Sequence, residues 1–298
     1  MVAGRRVRVV IEFDGTDFYG WQFQLSGERT VQAVLADALS NLPGTHSRVK
    51  GAGRTDAGVH ALALTGHFDT TSPIGDEKLR LAMNAHLPGD VAVLELTTVG
   101  GEFEAQFSCH YRRYLYRMRV VRGNPRGLAL DRKRVLALHW LPDVAAMREA
   151  AVMLQGRRDF ASFGTQETGN TVREVYLSEL RVEHGELRYH VAGSGFLRGM
   201  VRAIVGTLLW VGKGKLRAAD VPDLLAARDR RRAGHSAPAH ALYFMEAGYA
   251  PFEPTVSEDV LAARQILQRM QEIGEGDATK AQQPSQPFEI GVRDEIGA

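Results

Sequence analysis

YRRYLYRMRVV, residues 111–121, decides the fold class. In an extended chain Tyr114, Tyr116, Met118 and Val120 fall on one side and Arg113, Arg117 and Arg119 on the other, which is the period of two of a half-buried strand. RVRVVIEFD at 6–14 alternates in the same way, with Val7, Val9, Ile11 and Phe13 on one face. Strands of a doubly wound parallel sheet are buried on both faces and read as continuous apolar runs, so this alternation argues for antiparallel or mixed sheet.

Working outward, strands are expected at 62–70, 91–99, 172–182, 186–192 and 241–249. Helices are expected at 31–42 behind an N-cap at Thr30, at 76–86 before Pro88-Gly89, at 144–156 after Leu141-Pro142, at 196–212 and at 220–228. Helices alternate with strands, an α+β pattern. The chain divides near 105–140 into parts of similar element content, giving an N-terminal half 1–110, a C-terminal half 111–254 and a tail 255–298. The tail holds one helical stretch (258–271) and then GEGDATKAQQPSQPFE, whose polar composition points to disorder.

With 44% apolar and 24% charged residues in 298, the composition is that of a soluble globular chain with a core. No apolar run reaches the roughly 20 residues that cross a bilayer, and MVAGRRVRVVIEFDG lacks the apolar stretch of a signal peptide. The one cysteine, Cys109, excludes an intramolecular disulfide and a multi-cysteine zinc cage, and a reducing cytoplasm is the simplest setting. The formal charge of +2 is unevenly spread: residues 255–298 carry a net −4, leaving about +6 on 1–254. Nine Arg or Lys residues stand against one acid, Asp131, in 111–134. Such a block is either a solvated face or a contact surface for a polyphosphate.

GAGRTDAGVHA, residues 51–61, sets Arg54 and Asp56 in a loop of small residues. It is neither a dinucleotide GxGxxG nor a phosphate loop ending in GK[ST]. The chain has no HExxH and no GxSxG, and no metal or nucleotide cofactor is indicated. Asp56 is then either a turn residue with Arg54 as its counter-ion or a reactive carboxylate on a backbone bare enough to admit a bulky ligand. The aromatic loop GTDFYGWQFQ and the basic runs favour the second, because stacked bases and clamped phosphates need both chemistries. Read physically, the residues reach a nucleic-acid-binding protein with Asp56 as a candidate nucleophile or base.

In order along the chain stand FDGTDFYGWQFQ, GAGRTDAGVHA, NAHLPGDVAV, FSCHYRRYLYR, FLRGMVRAIVG and AGHSAPAHALYF. Together they closely resemble the tRNA pseudouridine synthase A family over about 6–250. The resemblance implies an α+β fold of two similar halves whose antiparallel sheets join into a central platform, with helices outside and a cleft between the halves. It implies isomerisation of uridines 38, 39 and 40 in the anticodon stem-loop of tRNA by a cytoplasmic homodimer, without metal or organic cofactor. By position, Asp56 takes the place of the family's catalytic aspartate and Arg54 that of the arginine which helps turn the target nucleotide out. Tyr114 matches the tyrosine that packs on the target base, and Arg202 the arginine that pairs with the catalytic carboxylate.

Each position also has a plainer reading. Tyr114 shares a strand face with Tyr116 and Met118, where packing alone would suit it. Arg202 lies among apolar helix residues and needs a buried partner, for which Asp56 is the nominee. Tyr114 is also a candidate relay for the C5 proton. The chain departs from the family's usual FLRHMVRNIVG at Gly199 and Ala203, and has Ala241 where glycine is common. Gly199 removes a side chain from the cleft and, inside a helix, should cost about 1 kcal/mol. The alternative function is a tRNA-binding or chaperone module of the same fold without chemistry, which has no use for Asp56. A phosphate- or nucleotide-dependent RNA ligase or hydrolase would need metal or phosphate-loop ligands that the motifs lack.

Overall fold

The alternation at 6–14 becomes strand β1 (Arg5–Phe13), in which Val7, Val9, Ile11 and Phe13 are buried and the residues between them only partly so. The structure is a computed structural model and describes residues 4–45, 48–121, 128–165 and 169–253. Thr30 caps α1 (Val31–Ser40), its hydroxyl accepting from the Ala33 amide, and the two-residue β2 (Lys50–Gly51) leads through the charged loop into β3 (His60–Thr70). Then come α2 (Asp76–His86), β4 (Val91–Val99), β5 (Tyr111–Val120) and β6 (Leu136–Leu138). After α3 (Val144–Val152), β7 (Gly156–Asp159), β8 (Val172–Glu183) and β9 (Glu186–Gly193), the chain forms α4 (Met200–Gly212), α5 (Val221–Ala227) and β10 (Leu242–Gly248).

The main strands form one sheet in the order β4-β1-β3-β10-β5-β9-β8-β7, with β2 on β3 and β6 on β5. The order 4-1-3 in the first part recurs as 10-5-9 in the second. Pairing along this path is antiparallel except at the join, where β10 runs parallel to β3 through Tyr243↔His60 and Phe244↔Ala61. The fold is therefore α+β on a mixed sheet, as the strand alternation implies.

Strand parity sorts the core. Tyr114, Tyr116 and Met118 join one large apolar cluster with the β1 residues and with side chains of all five described helices, among them Leu35, Leu79, Met147, Ile204 and Leu224. The opposite parity carries only the small cluster Leu115, Tyr243 and Met245. Helices thus cover one face of the sheet.

Arg117 and Arg119 of β5 face the other way, and their neighbours are carboxylates. Arg117 donates to both Glu186 oxygens at 2.8 and 2.9 Å, and Arg119 reaches Glu186 at 2.5 Å and Asp131 at 3.2 Å. Cross-strand charge pairing of this kind stabilises a sheet face. These arginines belong to a paired ionic surface, so the polyphosphate reading of the basic strand face does not hold for them. Arg122 and Arg126 of the same basic block lie outside the described residues, as does the whole tail from 255, with its expected helix and disorder.

Three local expectations need correction. The helix expected at 196–212 begins at Met200, because Gly199 adopts φ +70°, a left-handed conformation at the N-cap. Only glycine occupies that region without steric penalty, so Gly199 is favoured where it stands and the interior cost does not arise. The helix expected at 144–156 stops at Val152, and Gly156 opens the short strand β7 instead. The two- to four-residue strands β2, β6 and β7 carry too little periodicity to be read from sequence.

Candidate active site

The loop between β2 and β3 is shaped from beside it. Gly20 approaches so closely, at φ +87°, that a Cβ there would stand 2.4 Å from the Thr55 carbonyl oxygen. The next residue, Trp21, is buried and donates its amide to that same carbonyl at 3.1 Å. The Gly58 amide donates to Phe18 O and the Val59 amide to Asp56 O, both at 3.2 Å, closing a tight turn under Asp56. The aromatic segment 18–21 is therefore the mould of the Asp56 loop, and its presence beside GRTDAG in function follows from packing.

Across from the loop, Arg202 rises from the first turn of α4. Its Nη1 donates to Asp56 Oδ2 at 2.9 Å and its Nε to the Ala237 carbonyl at 2.7 Å. The Ala237 amide returns a bond to the Arg202 carbonyl at 2.9 Å. A guanidinium gripped at two nitrogens is oriented as well as charged. Both members of the ion pair remain partly accessible, with side-chain exposures of 24% for Arg202 and 30% for Asp56.

Asp56, Arg54, Tyr114 and Arg202 all line one cleft of about 1260 Å³. Arg54 is exposed within it. Tyr114 is 8% exposed and packs edge-on against Phe196 and Phe244, each at 5.1 Å between centroids. Burial, more than any charge, raises its phenol well above the ordinary value of 10, so the hydroxyl stays protonated.

Among the described residues the lining carries five arginines, at 54, 112, 173, 198 and 202, against the single carboxylate of Asp56. Arg112 was within reach of sequence reasoning, since it shares the strand face of Tyr114. Its Nε donates to Ala52 O at 3.0 Å, Nη1 to Ser194 O at 2.9 Å and Nη2 to Gln106 O at 2.5 Å. One side chain thus ties three walls of the cleft together. Phe196 and Arg198 had a weaker signal, because the motif that holds them reads as helix although 196–198 is loop. Gly199 lines the cleft, whereas Ala203 and Ala241 are fully buried and do not. Among the described residues no three His, Cys, Asp or Glu side chains stand together as metal ligands do, and no helix is long and apolar enough to cross a membrane.

Comparison with known proteins gives this geometry a context. A family profile described as tRNA pseudouridine synthase matches residues 9–108 and 150–250. A protein named tRNA pseudouridine synthase A from Afipia carboxidovorans is 43% identical over 247 residues, covering 82% of this chain and 99% of its own. The proteins of that name from Thermus thermophilus (43% over 249 residues, 82% and 97% covered) and Ruminiclostridium cellulolyticum (40% over 250, 82% and 100%) are similarly close.

Proposed function

The chain belongs to the tRNA pseudouridine synthase family, and from that premise we propose how this isomerase meets its uridine. Its targets are uridines 38, 39 and 40 of the anticodon stem-loop, and Asp56 is the catalytic group. The cleft that takes the base lies between an N-terminal half (1–110) and a C-terminal half (111–254). The protein acts in the cytoplasm as a homodimer, and its own side chains suffice without metal or organic cofactor.

One observation carries the assignment: in a cleft lined by five arginines, the only carboxylate among the described lining residues is fixed at 2.9 Å by Arg202. Isomerisation breaks the C1′–N1 bond, turns the uracil and forms C1′–C5, with the C5 proton replaced by one on N1. Charge develops on base and sugar as the glycosidic bond opens, and a fixed ion pair in a partly desolvated cleft answers it without reorganising. A base stacked in a stem-loop is out of reach until it is extruded, at a few kcal/mol. The exposed Arg54 is placed to fill the vacated space, and the Tyr114 ring, braced by Phe196 and Phe244, to receive the base. Arg173 and Arg198 offer the phosphate contacts.

The test is Asp56→Asn on unmodified tRNA, with pseudouridine scored site by site and binding measured in parallel. Asparagine keeps the shape and an acceptor for Arg202, so tRNA binding should persist within a few-fold while conversion at 38–40 disappears. A variant that still converts uridine at the wild-type rate removes Asp56 from the chemistry. A wild-type protein that binds tRNA and converts nothing supports the binding-module reading instead.

A further inference from the structure

Eight large apolar side chains are exposed among the described residues, and six of them are aliphatic: Leu25, Leu81, Leu130, Leu141, Val152 and Val182. None of these six lines the Asp56 cleft. The two that are aromatic, Tyr19 at 62% and Phe107 at 82% exposure, both do. Scattered exposed leucines and valines are ordinary surface. Aromatic rings left open together at the mouth of an arginine-lined cleft are the chemistry of base stacking.

Each ring is presented by a turn that is itself pinned. Tyr19 sits between two buried anchors: Phe18, with the Arg29 guanidinium 4.0 Å over its ring, and Trp21 two residues on. Its amide donates to Arg29 O at 2.9 Å. Phe107 projects from the turn 104–108, where the Ser108 amide donates to Glu104 O at 2.8 Å and the Glu104 amide to Ser108 Oγ at 3.0 Å. Ala105 is held from both sides, by Tyr249 Oη on its carbonyl and by His67 Nδ1 on its amide. Gln106 O is gripped by Arg112, which also holds Ala52 of the Asp56 loop. The backbones that carry Tyr19 and Phe107 are thus fixed relative to Asp56 while the rings have no packing use. A pre-organised ring loses little conformational freedom when a ligand settles on it.

We propose that Tyr19 and Phe107 are stacking platforms for unpaired nucleobases of the RNA next to the target uridine. This rests on the tRNA reading above and extends it to groups outside the reacting centre. The rings hold neighbouring bases in the bound complex and so contribute affinity rather than chemistry. Stacking has no net charge, so the platforms act on affinity without changing its salt dependence.

The measurement uses stem-loop RNAs that carry the target uridine and a 2-aminopurine at one loop position at a time. Binding to wild type should quench the fluorophore at one or more positions. Phe107→Ala and Tyr19→Ala should each abolish the quench at a particular position and weaken binding about 5- to 150-fold, the worth of one base–aromatic stack. The slope of log affinity against log salt should not change, and turnover at saturating RNA should stay within about twofold. Phe107→Trp and Tyr19→Phe should restore both quench and affinity. The proposal is overturned if wild type quenches at no position, or if both alanine variants bind and quench like wild type. It is equally overturned if they lose turnover at saturation with affinity intact, which would put the rings in the chemical step. A quench that the alanine variants lose supports the platforms even if uridines 38–40 prove not to be the ones converted, so the two readings fail separately.

Discussion

Gly20 offers the sharpest test of the idea that the aromatic segment moulds the catalytic loop. A methyl at this position would stand 2.4 Å from Thr55 O and 3.1 Å from the Asp56 carbonyl carbon. Ordinary contact begins near 3.4 Å, so the Thr55–Asp56 peptide must retreat by about 1 Å, and Asp56 moves with it. A displacement of that size at a reacting group lowers the rate roughly 100-fold. The left-handed φ of +87° adds a backbone penalty of about 1–2 kcal/mol for alanine. Gly27 separates the two effects, because it has the same φ of +87° with nothing within 4 Å of the added methyl. Gly20→Ala should therefore lose about 1–2 kcal/mol of stability together with roughly 100-fold in single-turnover rate. Gly27→Ala should lose a similar stability and keep its rate. Denaturant titration gives the first quantity, and proton release from C5-tritiated uridine in tRNA gives the second. Equal rates for the two variants would refute the mould, since backbone strain without displacement would then account for everything seen.

Two further predictions concern the cleft wall and the far face of the sheet. Tyr114→Phe keeps the ring wedged between Phe196 and Phe244 and should stay active within about tenfold, whereas Tyr114→Ala should lose about 3–5 kcal/mol of stability and most activity; abolished turnover in Tyr114→Phe with tRNA binding intact would give the hydroxyl a direct part in the chemistry. Burial raises the Glu186 carboxyl, but hydrogen bonds from Arg117 and Arg119 outweigh it and bring it to about 2, while burial and then Arg113, Arg181 and Arg188 push His190 down to about 3. Both groups take up a proton more readily in the unfolded chain, near their ordinary 4.5 and 6.5. Their stabilisation is therefore complete above about pH 6.5 and falls away as pH drops, first through His190 and below 4.5 also through Glu186, by a few kcal/mol each. Melting temperature should be level from pH 8 to 6.5 and decline below it; His190→Gln should flatten the upper part of the decline, and a wild-type curve level down to pH 4 would contradict the argument.

What could be read in the sequence was whatever a single strand or helix fixes by itself. The period-two faces of 6–14 and 111–121 located β1 and β5, and Thr30 with Pro88-Gly89 bounded α1 and α2 to within two residues. Whatever depends on a partner was less legible. The arginines of 111–121 announce charge but not that Glu186, 69 residues from Arg117 along the chain, neutralises them. Gly199 looks like a helix defect until its left-handed φ shows that the helix has not yet begun. Arg112 is masked by the run of odd-numbered arginines around it, although its own even number places it beside Tyr114. The Asp56 loop was legible as a motif; its dependence on Gly20, 36 residues earlier, is a matter of backbone approach that composition does not reveal.

The position of the ion pair follows from the parallel join of β3 with β10. Asp56 comes from the loop before β3, and Arg202 is held by the segment before β10, so their separation is set where β3 meets β10. That join has only two register pairs, Tyr243↔His60 and Phe244↔Ala61. His60 reinforces it from a fully packed position: Nε2 donates to Lys133 O at 2.8 Å and His240 O at 3.0 Å, Nδ1 accepts from the Gly15 amide at 3.0 Å, and the ring stacks on Tyr243 at 4.8 Å. Two carbonyls on Nε2 call for a donor there, while Nδ1 lies between the Gly15 amide and Asp14 Oδ1 at 3.1 Å. The segment that His60 holds at 240 is the one whose Ala237 brackets Arg202. A histidine four residues after Asp56 therefore fixes both arms of the pair, and the 2.9 Å contact is a property of the join between two repeated strand groups more than of either group alone.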